Sequence, residues 1–294
     1  MVFNFKLCII TLIVLSSFFF LLILNYYVFY IVAQQLGANS GVNLGVNDPF
    51  GVKKIYPTKQ GGREWFMNMS NPENDPNVSF TFNPTLIKQN DSSWKIDKND
   101  KIRINVDTPD SLPEWKNVEI TGYVKIDSLI NPNNTRIISD IDWVSRTDRH
   151  NEDLPCYGLS LHGGIYPDGN VAWKKEIWFT GGYTKERSSP KITEPIIDRW
   201  IGWKVVVYNT NNDSAVKMES YLDNSNSNHW VKVFETTDNG KWFANTSDDD
   251  FYSANCGRSK DHIVLNSGPI VTFRADNVVL NFKDFSIREI DVPS

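Results

Sequence analysis

Between Val78 and Ile290 the chain is a succession of short runs in which apolar residues fall at every second position, separated by clusters of Asn, Asp, Gly and Pro. The runs are Val78–Phe82, Lys101–Asp107, Val118–Ile126, Thr135–Ser145, Tyr157–Gly163, Val171–Thr184, Trp200–Tyr208, Val216–Asp223, Trp230–Thr236, Ile263–Leu265, Pro269–Ala275 and Val279–Ile290. None carries a helical period, and Asp198–Lys204 is too short to count as one. About a dozen strands in one array, without an internal repeat or linker, predict an all-β domain. Its expected form is a β-sandwich of two antiparallel sheets rather than a propeller, which would show a blade period.

The alternation also sorts side chains by face. In Val118–Ile126, Val118, Ile120, Val124 and Ile126 point one way and Glu119, Thr121, Tyr123 and Lys125 the other, so one face of this strand is expected to be wet. In the stretch 135–146, Arg136, Asp140, Asp142 and Arg146 share one side, which must be solvated or paired. The stretch Tyr157–Thr184 organises the rest: Leu159, Leu161, Ile177 and Phe179 face the core, while Ser160, His162, Lys174, Glu176 and Trp178 take the positions between. Trp200, Lys204 and Tyr208 fall on the outward side of a further strand.

Ahead of the strands, Leu7–Ala33 is apolar apart from Thr11, Ser16, Ser17 and Asn25, longer than the roughly 20 residues a bilayer core requires. Lys6 precedes it and no Lys or Arg follows until Lys53, which predicts a cytoplasmic N-terminus and an exported remainder. The expected organisation is a signal anchor, a transmembrane helix, over 1–34, a tether rich in Gly, Asn and Pro over 35–77, and the sandwich over 78–294. Cleavage after Ala33 is the alternative, and would make the protein secreted.

Composition narrows the function classes. The 294 residues carry a net charge of −5 with scattered basic residues, which excludes a nucleic-acid footprint. Ten Trp and eleven Tyr, many beside polar residues, supply aromatic platforms for sugar rings beyond what the core needs. Cys156 and Cys256 are the two cysteines outside the apolar segment, and in an oxidising exterior form either a disulfide or two buried thiols. Sequons at Asn68, Asn77, Asn90, Asn133, Asn212 and Asn245 fit exposed loops of an exported glycoprotein. No phosphate loop, zinc spacing or nucleophile elbow is present, so no cofactor or catalytic metal is expected; Asp248, Asp249 and Asp250 leave a structural calcium open.

The C-terminal pattern VKMESYLDN, HWVKVFETTDNG and GPIVTFRADNVVLNFKDFSIREI resembles the concanavalin A-like jelly-roll superfamily of lectins, sugar-hydrolase-like domains and alginate-lyase-type polysaccharide lyases, over Val78 to Ile290. Family 16 glycoside hydrolases of that superfamily carry E-x-D-x-E, a pair of carboxylates about 5 to 5.5 Å apart. Ser139–Val144 offers Asp140 and Asp142 but neither Glu, which argues against that chemistry. The segment Trp178–Thr184 is similar to an alginate-lyase strand in its Gly and Tyr positions and departs from it at the family's Lys. The resemblance then implies Tyr183 as acid–base, His162 as base or neutraliser, and Arg136 or Arg258 on the uronate carboxylate. Plain alternation puts Tyr183 on the core side, so catalysis requires a bulge at Gly181–Gly182. Trp178, Trp200, Lys174, Glu176 and His262 are the expected sugar contacts. Three readings follow: an extracellular polysaccharide-binding domain using a concave sheet face, a lyase acting by β-elimination on an acidic polysaccharide, and a structural or adhesive surface protein.

Overall fold

The computed structural model describes residues 46–97, 100–133, 139–148, 154–178, 182–253 and 255–292. The strands in chain order are β1 (Glu64–Phe66), β2 (Val78–Thr81), β3 (Leu86–Lys88), β4 (Trp94–Ile96), β5 (Lys101–Asp107), β6 (Val118–Leu129), β7 (Asp140–Thr147), β8 (Ser160–Ile165), β9 (Val171–Glu176), β10 (Arg187–Ser189), β11 (Ile201–Thr210), β12 (Ala215–Asp223), β13 (Val231–Asp238), β14 (Ile270–Asp276) and β15 (Val278–Glu289). A single turn of helix, α1 (Asp248–Tyr252), is capped by Ser247 and takes up the three consecutive aspartates. Two antiparallel sheets result, as the alternation predicts. One has the order β13-β12-β11-β6-β15-β4-β3 with β1 also on β15; the other runs β10-β9-β8-β7-β14-β5-β2. Ile263–Leu265, expected as a strand, is a partly buried loop packed against the core.

The inner rows of both sheets meet in one core. Ile120, Val124, Trp203, Val205, Phe282 and Phe285 from the first sheet pack with Ile104, Trp143, Leu161, Trp173 and Phe273 from the second. Trp143 contacts Phe273 and Phe285 edge-on at 4.8 and 5.1 Å between centroids. Its indole donates across the interface to the Trp203 carbonyl at 2.9 Å, and Trp203 donates to the Gly163 carbonyl at 3.1 Å, so neither buried N–H is left unpaired. Gly163 is required there: a Cβ would lie 2.6 Å from Val205 and 2.8 Å from the Trp173 ring.

Two expectations change. The tether does not extend to 77: from Val46 onward the chain belongs to the compact unit, with Trp65 in the core and β1 paired to β15. The outer face of β6 is not wet around Glu119 either, because residues 53–56 lie against it, while Lys125 further along stays partly exposed. Glu119 is buried and receives Lys204 Nζ at 2.6 Å and Arg288 Nη2 at 2.7 Å, while the Ile55 and Tyr56 backbone N–H groups donate to its other oxygen at 3.0 and 3.2 Å. Burial works against this carboxylate, but Lys204 and Arg288 outweigh it and hold its pKa below the ordinary value. Among the described residues no helix is long and apolar enough to cross a membrane, and Leu7–Ala33 lies outside them.

Removing the negative member of this cluster leaves two buried cations facing each other. Glu119→Gln is therefore expected to lower the unfolding free energy by about 3–5 kcal/mol in chemical denaturation. A loss below about 1 kcal/mol would mean that the face is solvated after all.

Candidate functional site

The outer face of the second sheet carries a cavity of about 760 Å³. Register decides which side chains meet there. His162 of β8 stands beside Val144 of β7, Val144 beside Thr272 of β14, and Thr272 beside Asn105 of β5; one row over, Asp142, Arg274 and Arg103 are neighbours. Because side chains directly opposite one another in a ladder share a face, these strands pool their polar rows into one lining. It includes Lys101, Arg103, Asn105, Asp107, Ser160, His162, Glu176, Tyr183, Thr272, Arg274 and Asp276, with Phe82 as a second aromatic. Phe82 follows β2 with a φ of 68° and keeps 58% of its surface exposed.

Tyr183 reaches the cavity by a different route from the expected bulge. The strand ends at Glu176, the chain reverses so that Gly182 accepts the Ile177 N–H through its carbonyl, and Tyr183 pairs with Glu176 as an antiparallel bridge. A residue facing Glu176 shares its side of the sheet, so Tyr183 lands beside His162, ring centroids 5.3 Å apart and edge to face. Gly182 adopts φ +65°, the left-handed conformation glycine takes without strain; Gly181 lies outside the described residues. Arg274 Nη1 donates to the Tyr183 hydroxyl at 3.2 Å. Burial and Glu176 push the phenol pKa up despite Arg274, so it keeps its proton at neutral pH.

Beneath this surface runs a chain of buried polar groups. Ser160 Oγ lies 2.8 Å from His162 Nε2 and 3.2 Å from Glu176 Oε2; His162 Nδ1 donates to Asp142 Oδ2 at 3.2 Å; Lys174 Nζ reaches both Asp142 and Asp140 at 2.9 Å. Burial opposes ionisation of Asp142, yet Lys174, His162 and Arg274 hold its pKa below the ordinary range. For Asp140, burial and the Asp142 charge prevail over Lys174 and push it up to about 6, and its Oδ1 is buried without a hydrogen-bond partner. Asp276 takes Arg103 at 2.6 Å and Arg274 through Nε at 2.8 Å, tying the two arginines together.

The sequence-predicted residues divide. His162, Glu176 and Tyr183 line the cavity; Lys174 lies just below, engaged with the aspartates. Trp178 does not face sugar: the chain has left the sheet, and its ring packs against Phe251 at 4.1 Å in a small buried cluster with Ile177. Trp200 precedes β11 on the other sheet, under Lys283, and cannot serve this cavity. His262 lines neither cavity described here; its carbonyl accepts Lys175 Nζ at 2.6 Å, while burial, Arg258 and Lys175 hold its imidazole below the ordinary pKa. Arg258 lines an adjoining cavity of about 460 Å³, and Arg136 lies outside the described residues. Cys156 and Cys256 are joined as a disulfide. Among the described residues no group of His, Cys, Asp or Glu side chains is arranged to hold a metal ion. Sequence reasoning missed Arg274, Arg103 and Phe82. Alternation around Val271, Phe273 and Ala275 already turned Arg274 outward.

No family model and no curated protein matches the chain. Among solved structures it is similar to the botulinum neurotoxin serotype D binding domain, with 13% identity and TM-score 0.36 over 82% of this chain and 46% of that one. It is similar to peanut lectin at 8% identity and TM-score 0.41, over 79% of this chain and 99% of the lectin. A likeness to the endo-β-1,4-glucuronan lyase of the fungus Trichoderma reesei has 8% identity and TM-score 0.39, over 76% and 90% of the two chains.

A carboxyl raised by folding favours the native state when protonated, a contribution present in full below pH 3.8 and lost as pH rises through about 6. Asp140→Asn removes that titration. Its melting temperature relative to wild type should therefore rise between pH 4.5 and pH 7.5, as read by thermal denaturation at both. The reverse trend would show that pairing with Lys174 outweighs the burial of Asp140.

Proposed function

We propose that the cavity on the second sheet binds a polysaccharide, and that His162, Tyr183 and Arg274 make it a lyase acting on an acidic polysaccharide by β-elimination. The observation that carries the reading is the Tyr183 ring set edge to face on His162, with its hydroxyl bonded by Arg274, in the lining of one polar cavity. β-Elimination of a uronide needs a cation on the carboxylate, a base for the C5 proton and an acid for the leaving oxygen. Arg274, with Arg103 beside it, supplies the cation. Tyr183, protonated at neutral pH, supplies the acid. His162 supplies the base at Nε2, its lone pair left available when Ser160 directs its one hydroxyl proton to Glu176. Phe82 and Tyr183, both partly exposed, take the role of stacking platforms that Trp178 and Trp200 do not fill.

One feature favours binding without turnover: His162 is only 3% exposed and both ring nitrogens are engaged, which suits a positioning residue. The Cys156–Cys256 disulfide, and the exposure of the sequon residues Asn68, Asn90, Asn133, Asn212 and Asn245, support an exported location. Membrane attachment through Leu7–Ala33 remains part of the same proposal.

A panel of uronic-acid polymers separates the readings. Lyase action produces an unsaturated uronide that absorbs in the ultraviolet, and Tyr183→Phe should abolish that signal while leaving affinity within a few-fold. Affinity without ultraviolet product overturns the lyase and retains the binding domain. Absence of both polymer binding and ultraviolet product across the panel selects the structural or adhesive reading. Phe82→Ala should weaken polymer binding several-fold, about 1 kcal/mol, without changing the melting temperature.

A further inference from the structure

The adjoining cavity of about 460 Å³ shares Asp148 with the first, and is lined by three cations, Lys116, Arg146 and Arg258, against two acids, Glu114 and Asp148. Arg146 is the unusual member. It is 1% exposed, yet among the described residues no carboxylate pairs with its guanidinium. Its partners are neutral: the Lys116 carbonyl at 3.1 Å, the Val264 carbonyl at 2.6 Å and Asn117 Oδ1 at 3.4 Å. Burial drives its pKa down to about 9, with the Asp213 charge opposing. A buried guanidinium that no carboxylate contacts directly is costly, and an anion entering the cavity would offset that cost.

The backbone adds an independent sign of a built site. Arg146 has φ +55°, a left-handed conformation unfavourable for a long side chain, at a register shift between β7 and β14. Gly268 permits it, since a Cβ there would lie 2.3 Å from the Arg146 carbonyl carbon. Arg258, whose Nη1 donates to the Cys156 carbonyl, is positioned beside the disulfide that pins this rim. The two acids are already committed: Glu114 accepts from Ser267 at 2.8 Å and Asp148 from the Gly158 N–H.

We infer that this second cavity is an anion subsite, which takes a carboxylate or sulfate substituent of the polysaccharide lying in the first. Arg146 and Arg258 hold the anion with charge-assisted hydrogen bonds, and Lys116, which also pairs with Asp213 at 3.5 Å, stands at the mouth. The assignment of a saccharide rests on the function proposed above; the anion site itself rests on Arg258 and on Arg146, which no carboxylate among the described residues contacts directly.

Two arms of one experiment on the full chain keep these apart. In the first, inorganic sulfate and, separately, acetate are titrated against wild type, Arg258→Gln, Lys116→Gln and Arg146→Gln, each checked for folding by circular dichroism, with chloride at equal ionic strength as reference. Saturable binding of either anion, weakened about ten-fold by Arg258→Gln, is the expected result, and the anion preferred names the substituent. Equal responses in wild type, Arg258→Gln and Lys116→Gln overturn the subsite even if Arg146→Gln fails to fold. In the second arm, acidic and neutral oligosaccharides of matched length are compared; Arg258→Gln should abolish the preference for the acidic one and leave neutral binding unchanged. Anion binding without any oligosaccharide binding would overturn the saccharide assignment alone.

Discussion

In a sandwich whose strands all give one row of side chains to the core, the alternate row is committed to the opposite face, whatever its chemistry. This constraint accounts for most of the unusual features of the molecule. On the first sheet the committed row of β6, β11 and β15 includes Glu119, Lys204 and Arg288, and residues 53–56 then cover it. Once water is excluded, those groups persist only as an ion-paired cluster, with backbone donors filling the carboxylate's remaining sites.

The second sheet meets the same constraint differently. Its outer row stays open enough to form a cleft, so Asp142, Lys174, Asp140 and His162 are paired below while Arg274, Tyr183 and Glu176 present polar atoms to the cavity. Paired charges underneath fix the rotamers above. Such support is what distinguishes a site able to orient a ligand from a merely polar surface. Two departures from regular strand geometry aim the key side chains: the reversal after Glu176 brings Tyr183 onto the face of His162, and the shift at Arg146 turns a guanidinium toward the neighbouring cavity.

The aromatic residues show how far composition alone misleads. Ten tryptophans suggested sugar platforms, but Trp115, Trp143, Trp173, Trp178 and Trp203 are all fully buried. Several satisfy their indole N–H across the sheet interface, as Trp143 and Trp203 do, which is a use of tryptophan that exposed polar neighbours in sequence do not reveal. The exposed aromatics at the cleft are instead Phe82, in a turn, and Tyr183, on a returning segment.

By itself the sequence determined the all-β class, the two-sheet sandwich and most of the core rows, because a period of two is a local property that each strand carries independently; Ile177 packs instead in a separate cluster with Trp178 and Phe251, and Phe179 lies outside the described residues. It also placed Ser160, His162 and Glu176 on an outward face, for the same reason. Tertiary structure alone decided which outward faces became neighbours: the pairing of β7 with β14 and of β14 with β5 joins residues more than a hundred positions apart, so Arg274 and Arg103 reach the cleft, whereas Arg258 lines the adjoining cavity. It likewise decided that the face of Glu119 is covered and that Trp178 leaves the sheet. Burial of a face depends on what is laid over it, and the end of a strand on where the chain reverses; neither is written in the alternation.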